Sequence, residues 1–243
     1  IIYKLFKVFN SNKVLKVVAI SNAVKNYLIS DLGTLEQKIQ VIPSATGINV
    51  KNWKINIDKS KHYLNIGYFG SLEKTKGINF LINLSKLDNK NNYFIYGGTE
   101  NQINQLKKKI FHKNLILKKY VPYKELHNYL LKMDILVMPY EKKTIRSAGS
   151  IGNIAKYMSP LKLFDYLAAG KLIIATKTTS LEEIIKNKKN CKLIDKLNIF
   201  NWQKEINLVL KDKIIYRKIA KNGFELSKNY TYANIAKKFL NLK

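Results

Sequence analysis

A doubly wound parallel sheet of the α/β class is the architecture this sequence predicts. Three observations carry the expectation. Short runs rich in Ile, Val, Leu, Phe and Tyr alternate with helix-period runs almost throughout, the pattern of a parallel sheet with helices on both faces. Apolar residues make up 46% of the chain, enough for a sizeable core. The length, 243 residues, suits one large domain or two small ones.

VLKVVAI (14–20) reads as the first strand. SNAVKNYLISDLG (21–33) follows as a helix that Ser21 caps and Gly33 closes. KIQVIPSA (38–45) is a second strand, and residues 46–62 are polar and irregular, a linker. A longer series opens with the strand YLNIGYF (63–69), the turn GSLEKTKG and the helix INFLINLSKL (78–87). Strand NYFIYGG (92–98), helix ENQINQLKKKI (100–110), strand NLILKKYV (114–121), helix PYKELHNYLLKM (122–133) and strand DILVMPY (134–140) come next. A loop over 141–158 leads into SPLKLFDYLAAG, where Ser159 suits the N-cap, Pro160 the first helical position and Gly170 the stop. Strand KLIIAT (171–176), a helix from Ser180, strand CKLID (191–195) and helices over 199–211, 213–228 and 231–241 complete the series.

The βα units from residue 63 onward make one complete doubly wound domain, 63–198, with the helices of 199–243 expected to pack back across it. Residues 1–45 offer two strands and one helix, too little for an independent core. They are expected to be the remnant of a domain whose front is missing, and to be the least stable part.

No run approaches the roughly 20 apolar residues that span a bilayer. The opening IIYKLFKVFNSNKVLK has no signal-peptide architecture, and a cytoplasmic location is expected. Cys191 is the only cysteine, so neither a disulfide framework nor a thiolate metal cluster can form. The net charge is +28, but of the 44 Lys and Arg residues only Arg146 and Arg217 are arginine. Sites built to hold phosphate tend to recruit Arg. Abundant Lys, Asn and Ile together read as the bias of an AT-rich genome, with the charge on solvated faces. The remaining reading is peripheral attraction to an anionic membrane surface, worth roughly 1 kcal/mol per well-placed Lys. Nucleic acid is not an expected partner, since no zinc-finger, helix-turn-helix or RNP pattern occurs.

Ligands of open α/β sheets sit in the loops at the carboxyl ends of strands. After Phe69 comes Gly70-Ser71-Leu72-Glu73-Lys74-Thr75-Lys76-Gly77, where two glycines allow close backbone approach and Lys76 stands before a helix, placed to meet an anion. The same stretch also reads as an ordinary turn with solvated lysines. At the helix opened by Ser159 and Pro160, the unpaired N–H groups of Leu161 and Lys162 form an anion site, with the Lys162 charge added. Asp165 lies three residues on, on the same face. Amides holding diphosphate and a carboxylate taking ribose hydroxyls would suit a nucleotide; a capped helix with a Lys–Asp surface pair is the alternative. Arg146, in the preceding loop, either clamps phosphate or is exposed. His62, His112 and His127 have no metal spacing, and no metal site is expected. Neither a Gly-x-Ser-x-Gly elbow nor a P-loop occurs. Gly97-Gly98 reads as a turn beside the cleft, and Tyr232 as packing.

The segments VVAISNAVKNYLI, KIQVIPSATGINV, IGYFGSLEKTKGINFLI, YVPYKELHNYLLKMDILVMPY and MSPLKLFDYLAAGKLIIATKTTSLEEII, in this order and spacing, resemble a retaining glycosyltransferase of family 4 (group 1) with the two-domain, Rossmann-like GT-B fold. The resemblance covers nearly everything from residue 14 onward. It implies a C-terminal donor-binding domain plus the end of an N-terminal one, and a hexosyltransferase-like enzyme. The donor would be a nucleoside diphosphate sugar and the acceptor a glycan or lipid-linked glycan, in polysaccharide or glycolipid assembly on the inner membrane face. No cofactor is implied. Gly70 and the loop to Lys76 resemble the diphosphate-binding turn, though the family often has Arg where Ser71 stands. Val121 resembles the place where backbone atoms meet the base. Asp165 falls on the second glutamate of an E-x7-E motif that usually binds ribose hydroxyls, and Tyr157 on the first; MSPLK resembles one branch of the family that carries MSPLK-x-x-E-Y. Lys76 and Lys162 would be the catalytic cations, stabilising the leaving diphosphate. Because the family has a full acceptor-side domain, an N-terminal domain or a partner chain is expected to be missing. An inactive nucleotide-binding fragment and a basic adhesion protein are the rival readings.

Overall fold

The computed structural model describes residues 2–49, 62–108, 110, 112–146 and 152–241. Of the expected linker 46–62, residues 50–61 lie outside the described residues, as do 109 in the predicted helix 100–110 and 147–151 in the predicted loop.

The chain opens with α1 (Ile2–Asn10), β1 (Val17–Ala19), α2 (Asn22–Ser30) and β2 (Ile39–Val41). β1 and β2 form a parallel pair, Val17 opposite Ile39. Ser21 caps α2, its hydroxyl accepting from the Val24 N–H, as predicted. Helix α1 was not expected. The Lys38 ammonium donates to the carbonyl of Asn10, the last residue of α1, and to those of Ser11 and Val14 in the turn after it. That places a cation where a helix C-terminus favours one. Among the described residues, Ala19, Leu28, Leu32 and Ile39 form the buried cluster of this part.

The larger sheet contains β3 (Asn65–Phe69), β4 (Asn92–Tyr96), β5 (Leu115–Lys118), β6 (Ile135–Met138), β7 (Leu172–Thr176) and β8 (Lys192–Ile194). All are parallel, in the order β5-β4-β3-β6-β7-β8. Between them run α3 (Ile78–Leu87), α4 (Glu100–Lys107), α5 (Tyr123–Leu131), α6 (Leu161–Ala168) and α7 (Thr179–Glu182). Helices α8 (Ile199–Lys211), α9 (Lys213–Ser227) and α10 (Tyr232–Leu240) follow. β6 shows why the run ILVM is continuously apolar: Leu136 and Met138 enter the core on one face, Ile135 and Val137 the core on the other. Trp202 of α8 is fully buried in the second core, edge-on to Phe80 at 5.3 Å.

Strand order reverses between β3 and β6, so the loops leaving Phe69 and Met138 flank a switch-point crevice. The second of these loops ends at α6, and here the sequence expectation shifts by one residue. Pro160, not Ser159, is the cap position of α6, with no side-chain cap bond. The Ser159 hydroxyl is recruited elsewhere: it accepts from the Ser44 N–H at 2.9 Å, while the Ser44 hydroxyl donates to the Ser159 carbonyl at 3.1 Å. Similarly α7 begins at Thr179 behind a Thr178 cap, one residue before the expected Ser180. Gly170 ends α6 with φ +65°, as expected. Finally, Thr46 pairs with the stretch before α10. Its N–H donates to the Tyr230 carbonyl at 2.8 Å, and the Tyr232 N–H donates to its carbonyl at 3.2 Å.

Candidate functional site

A cleft of about 670 Å³ opens at the switch point. It is lined by Gly70, Ser71, Lys76, Val121, Ser159, Pro160, Leu161, Lys162 and Asp165 among the sequence-predicted residues. Arg146 does not line it. It borders a neighbouring depression with Gly98, Thr99 and Glu141, and its backbone N–H donates to the Thr75 hydroxyl at 2.9 Å. Tyr232, expected to pack, lines the cleft and is 56% exposed.

One end of the cleft is cationic. The Lys162 stem is partly exposed, but its ammonium is sealed and has no hydrogen-bond partner among the described residues. It sits 3.9 Å from the Tyr68 ring centroid and 5.5 Å from that of Tyr140. It also presses on the backbone: a Cβ on Gly70 would stand 2.5 Å from Lys162 Nζ. Gly70 in turn is crossed by β4, since a Cβ on Gly97 would stand 1.8 Å from the Gly70 carbonyl oxygen. Glycine at both positions is therefore a packing requirement of this turn. Burial pushes the Lys162 ammonium well below the ordinary lysine range, and repulsion from Lys76 adds to it. Lys76 donates to the Ser71 hydroxyl at 2.9 Å and is also lowered by burial, against the raising influence of Glu73. The N–H groups of Leu161 and Lys162 open α6 and have no intrahelical acceptor. Two ammonium groups and a helix N-terminus thus converge on one turn, an arrangement that an anion would relieve.

Asp165 does not pair with Lys162. It is 8% exposed, and both its hydrogen bonds fall on Oδ1, from Thr46 Oγ1 at 2.7 Å and Tyr123 Oη at 3.0 Å. Burial raises its carboxyl above the usual range, while those two bonds pull it back. Phe69 and Tyr96, stacked at 4.7 Å with 5° between planes, supply an aromatic wall beside Val121. Tyr157 does not line this cleft. Its ring meets Tyr27 edge-on at 5.9 Å, and its carbonyl accepts from the Ser21 hydroxyl, so it ties the β1–β2 part to the loop before α6.

Residues 49–226 match the family of Glycosyl transferases group 1. The chain belongs to the group 1 glycosyl transferases. Its fold is similar to that of the Anabaena protein HepE, solved with UDP-glucose, at 17% identity and a TM-score of 0.70 over 93% of this chain and 62% of that one. It is similar to a glycosyltransferase of Rickettsia africae at 19% identity, with a TM-score of 0.74 over 98% of this chain and 66% of that one. Sucrose-phosphate synthase of Thermosynechococcus elongatus gives 16% identity and a TM-score of 0.73 over 99% and 60%. This group 1 glycosyl transferase chain thus has the Rossmann-like GT-B architecture that the resemblance implied, and it spans less than two thirds of the length of these structures. No curated protein matches it. Among the described residues, no helix is long and apolar enough to cross a membrane.

Sequence reasoning missed Tyr68, which meets the Lys162 ammonium, and Thr46 and Tyr123, which hold the Asp165 carboxylate. Tyr68 lies inside an apolar strand run and Thr46 in a stretch read as linker, so neither carried a local signal.

Proposed function

We propose that this chain is the donor-side part of a retaining, family-4 type glycosyltransferase that takes its sugar from a nucleoside diphosphate sugar. The Lys162 ammonium carries the reading: it is sealed in the switch-point cleft, beside a second lysine and a helix N-terminus, with no hydrogen-bond partner among the described residues. The diphosphate would occupy the turn from Gly70 to Lys76 and the amides at Leu161 and Lys162. The base would meet Val121 and the aromatic wall, and Asp165 would take a ribose hydroxyl. When the anomeric carbon–oxygen bond breaks, its electron pair goes to the diphosphate, and Lys76 and Lys162 stabilise that developing charge. The acceptor hydroxyl oxygen bonds to the anomeric carbon on the face the diphosphate leaves, and its proton passes to an oxygen of the departing diphosphate. The Anabaena protein's UDP-glucose supports the donor class. Residues 1–45 are read as the end of an acceptor-side domain, and 63–198 as the donor domain with 199–243 behind it. The acceptor is a glycan or lipid-linked glycan at the inner membrane face, where the lysines of a +28 chain meet anionic lipid.

Thermal unfolding with UDP, GDP, ADP and CMP tests the site. A ligand at a hundred times its dissociation constant adds roughly 2.7 kcal/mol, or roughly 2–4 °C per kcal/mol for a chain of this size. The expected outcome is a shift with one nucleoside diphosphate that Lys162→Ala abolishes. A binding-only reading is favoured by the chain's span of 62–66% of two similar structures. Release of free sugar from the donor separates the two: hydrolysis supports the enzyme reading, binding without it the binding-only one.

A further inference from the structure

Oδ1 of Asp165 is gripped by two hydroxyls, each of which already accepts a hydrogen bond from a backbone N–H. The Ile48 N–H donates to Thr46 Oγ1 at 3.0 Å, and the Gly47 N–H donates to Tyr123 Oη at 2.8 Å. With a backbone donor behind each hydroxyl, each turns its proton to the carboxylate. Oδ1 therefore receives two hydrogen bonds, at 2.7 and 3.0 Å, which favour the ionised form. The close approach depends on Gly47, where a Cβ would stand 3.2 Å from Tyr123 Oη and 2.9 Å from Tyr232 Cε2. The carboxylate stands on α6, while its two holders come from α5 and from the stretch after β2. Both Asp165 and Tyr123 line the cleft.

We infer that Thr46 and Tyr123 are positioning residues that saturate Oδ1 of Asp165, keep the carboxylate ionised in its buried setting and leave Oδ2 as the acceptor for a ribose hydroxyl. The inference rests on the nucleoside diphosphate reading above and adds a specificity to it. A single fixed acceptor distinguishes a ribonucleoside diphosphate from an analogue that lacks the hydroxyl it receives.

The test is calorimetric binding of UDP, GDP and ADP, each beside its 2′-deoxy and 3′-deoxy analogue, from about pH 5 to about pH 8. It compares the wild-type chain with Tyr123→Phe and Thr46→Val. Tyr123 is 42% exposed and loses only its hydroxyl, so the fold is retained. The expected result is about tenfold weaker binding of the ribonucleotide by each variant, with binding of the discriminated deoxy analogue unchanged. Protonation of Asp165 removes the acceptor as pH falls, and losing a hydroxyl donor raises the pH at which this happens. The acid limb of the binding profile therefore moves up by about one unit in Tyr123→Phe. Equal losses for both nucleotides, or an unmoved acid limb, overturn the inference and leave the donor reading standing. No binding of any of the three by the wild-type chain overturns both. A ligand-free readout keeps the failures apart: the Asp165 carboxyl carbon, followed by NMR, titrates at higher pH in Tyr123→Phe. An unchanged titration overturns the positioning role.

Discussion

At the scale of single residues, Lys162 carries opposing demands. Its ammonium is buried and faces the charge of Lys76, and despite the attraction of two aromatic rings the folded chain holds that proton less tightly than the unfolded chain does. For a base with a lowered folded-state value, the unfolded chain binds the extra proton between the two values. Stability then rises with pH through that window and carries the full penalty below it. Lys162→Met is accordingly expected to stabilise the free protein by about 1–3 kcal/mol at neutral pH, with the gain shrinking as pH rises towards the ordinary lysine range. Urea unfolding from about pH 7 to about pH 10 measures this; a variant less stable than the wild type at neutral pH would sink the idea. The same residue was visible in the sequence as the third position of a marked helix start. What its ammonium touches was not visible, because Tyr68, Gly70 and Lys76 reach it from another βα unit.

At the scale of elements, α3 was readable to its ends, since INFLINLSKL carries a clean helical period between Gly77 and Asp88. The start of α6 was misplaced by one residue because Ser159 is claimed by Ser44, a partner 115 positions away that local chemistry cannot reveal. Helix α1 was missed although Leu5 and Phe9 recur at helical spacing and pack on the small cluster around Leu28 and Ile39. That cluster is the weak point of the chain. Amides of Val17–Ala19 should exchange with solvent on the order of a hundredfold faster than those of Leu172–Thr176, where every residue is buried between two cores. Equal protection would contradict this. Lys38→Met should loosen the same part further, by about 1 kcal/mol, by stranding the carbonyls of Asn10, Ser11 and Val14; exchange over the end of α1 and the turn after it reads the effect.

For the molecule as a whole, fold class and strand sequence were legible because parallel strands buried on both faces leave continuous apolar runs. The crevice was legible as well, because a doubly wound sheet puts its ligand loops where the strand order turns. The polar links across it were not, since they join segments remote in sequence. The net charge of +28 acts at this scale too. Repulsion among so many lysines opposes compaction, and salt screens it. Raising ionic strength from about 0.01 M to about 0.15 M shortens the screening length from about 30 Å to about 8 Å. The melting temperature should rise over that range by a few degrees, about 1–2 kcal/mol; a fall would mean that attractive pairs dominate.

The pairing of Thr46 with the stretch from Tyr230 to Tyr232 has a topological meaning. The chain departs at Thr46, builds the whole six-stranded sheet and its helices, and returns to the point of departure. The family match, 49–226, falls inside that loop. A body whose entrance and exit are neighbours can be lifted out, given new ends at a surface turn, or set into another protein without stretching its host. A segment from Ser44 to Tyr232, which keeps Ala45, Thr46 and Tyr232 at the cleft, has the geometry of an exchangeable cartridge whose two ends lie side by side.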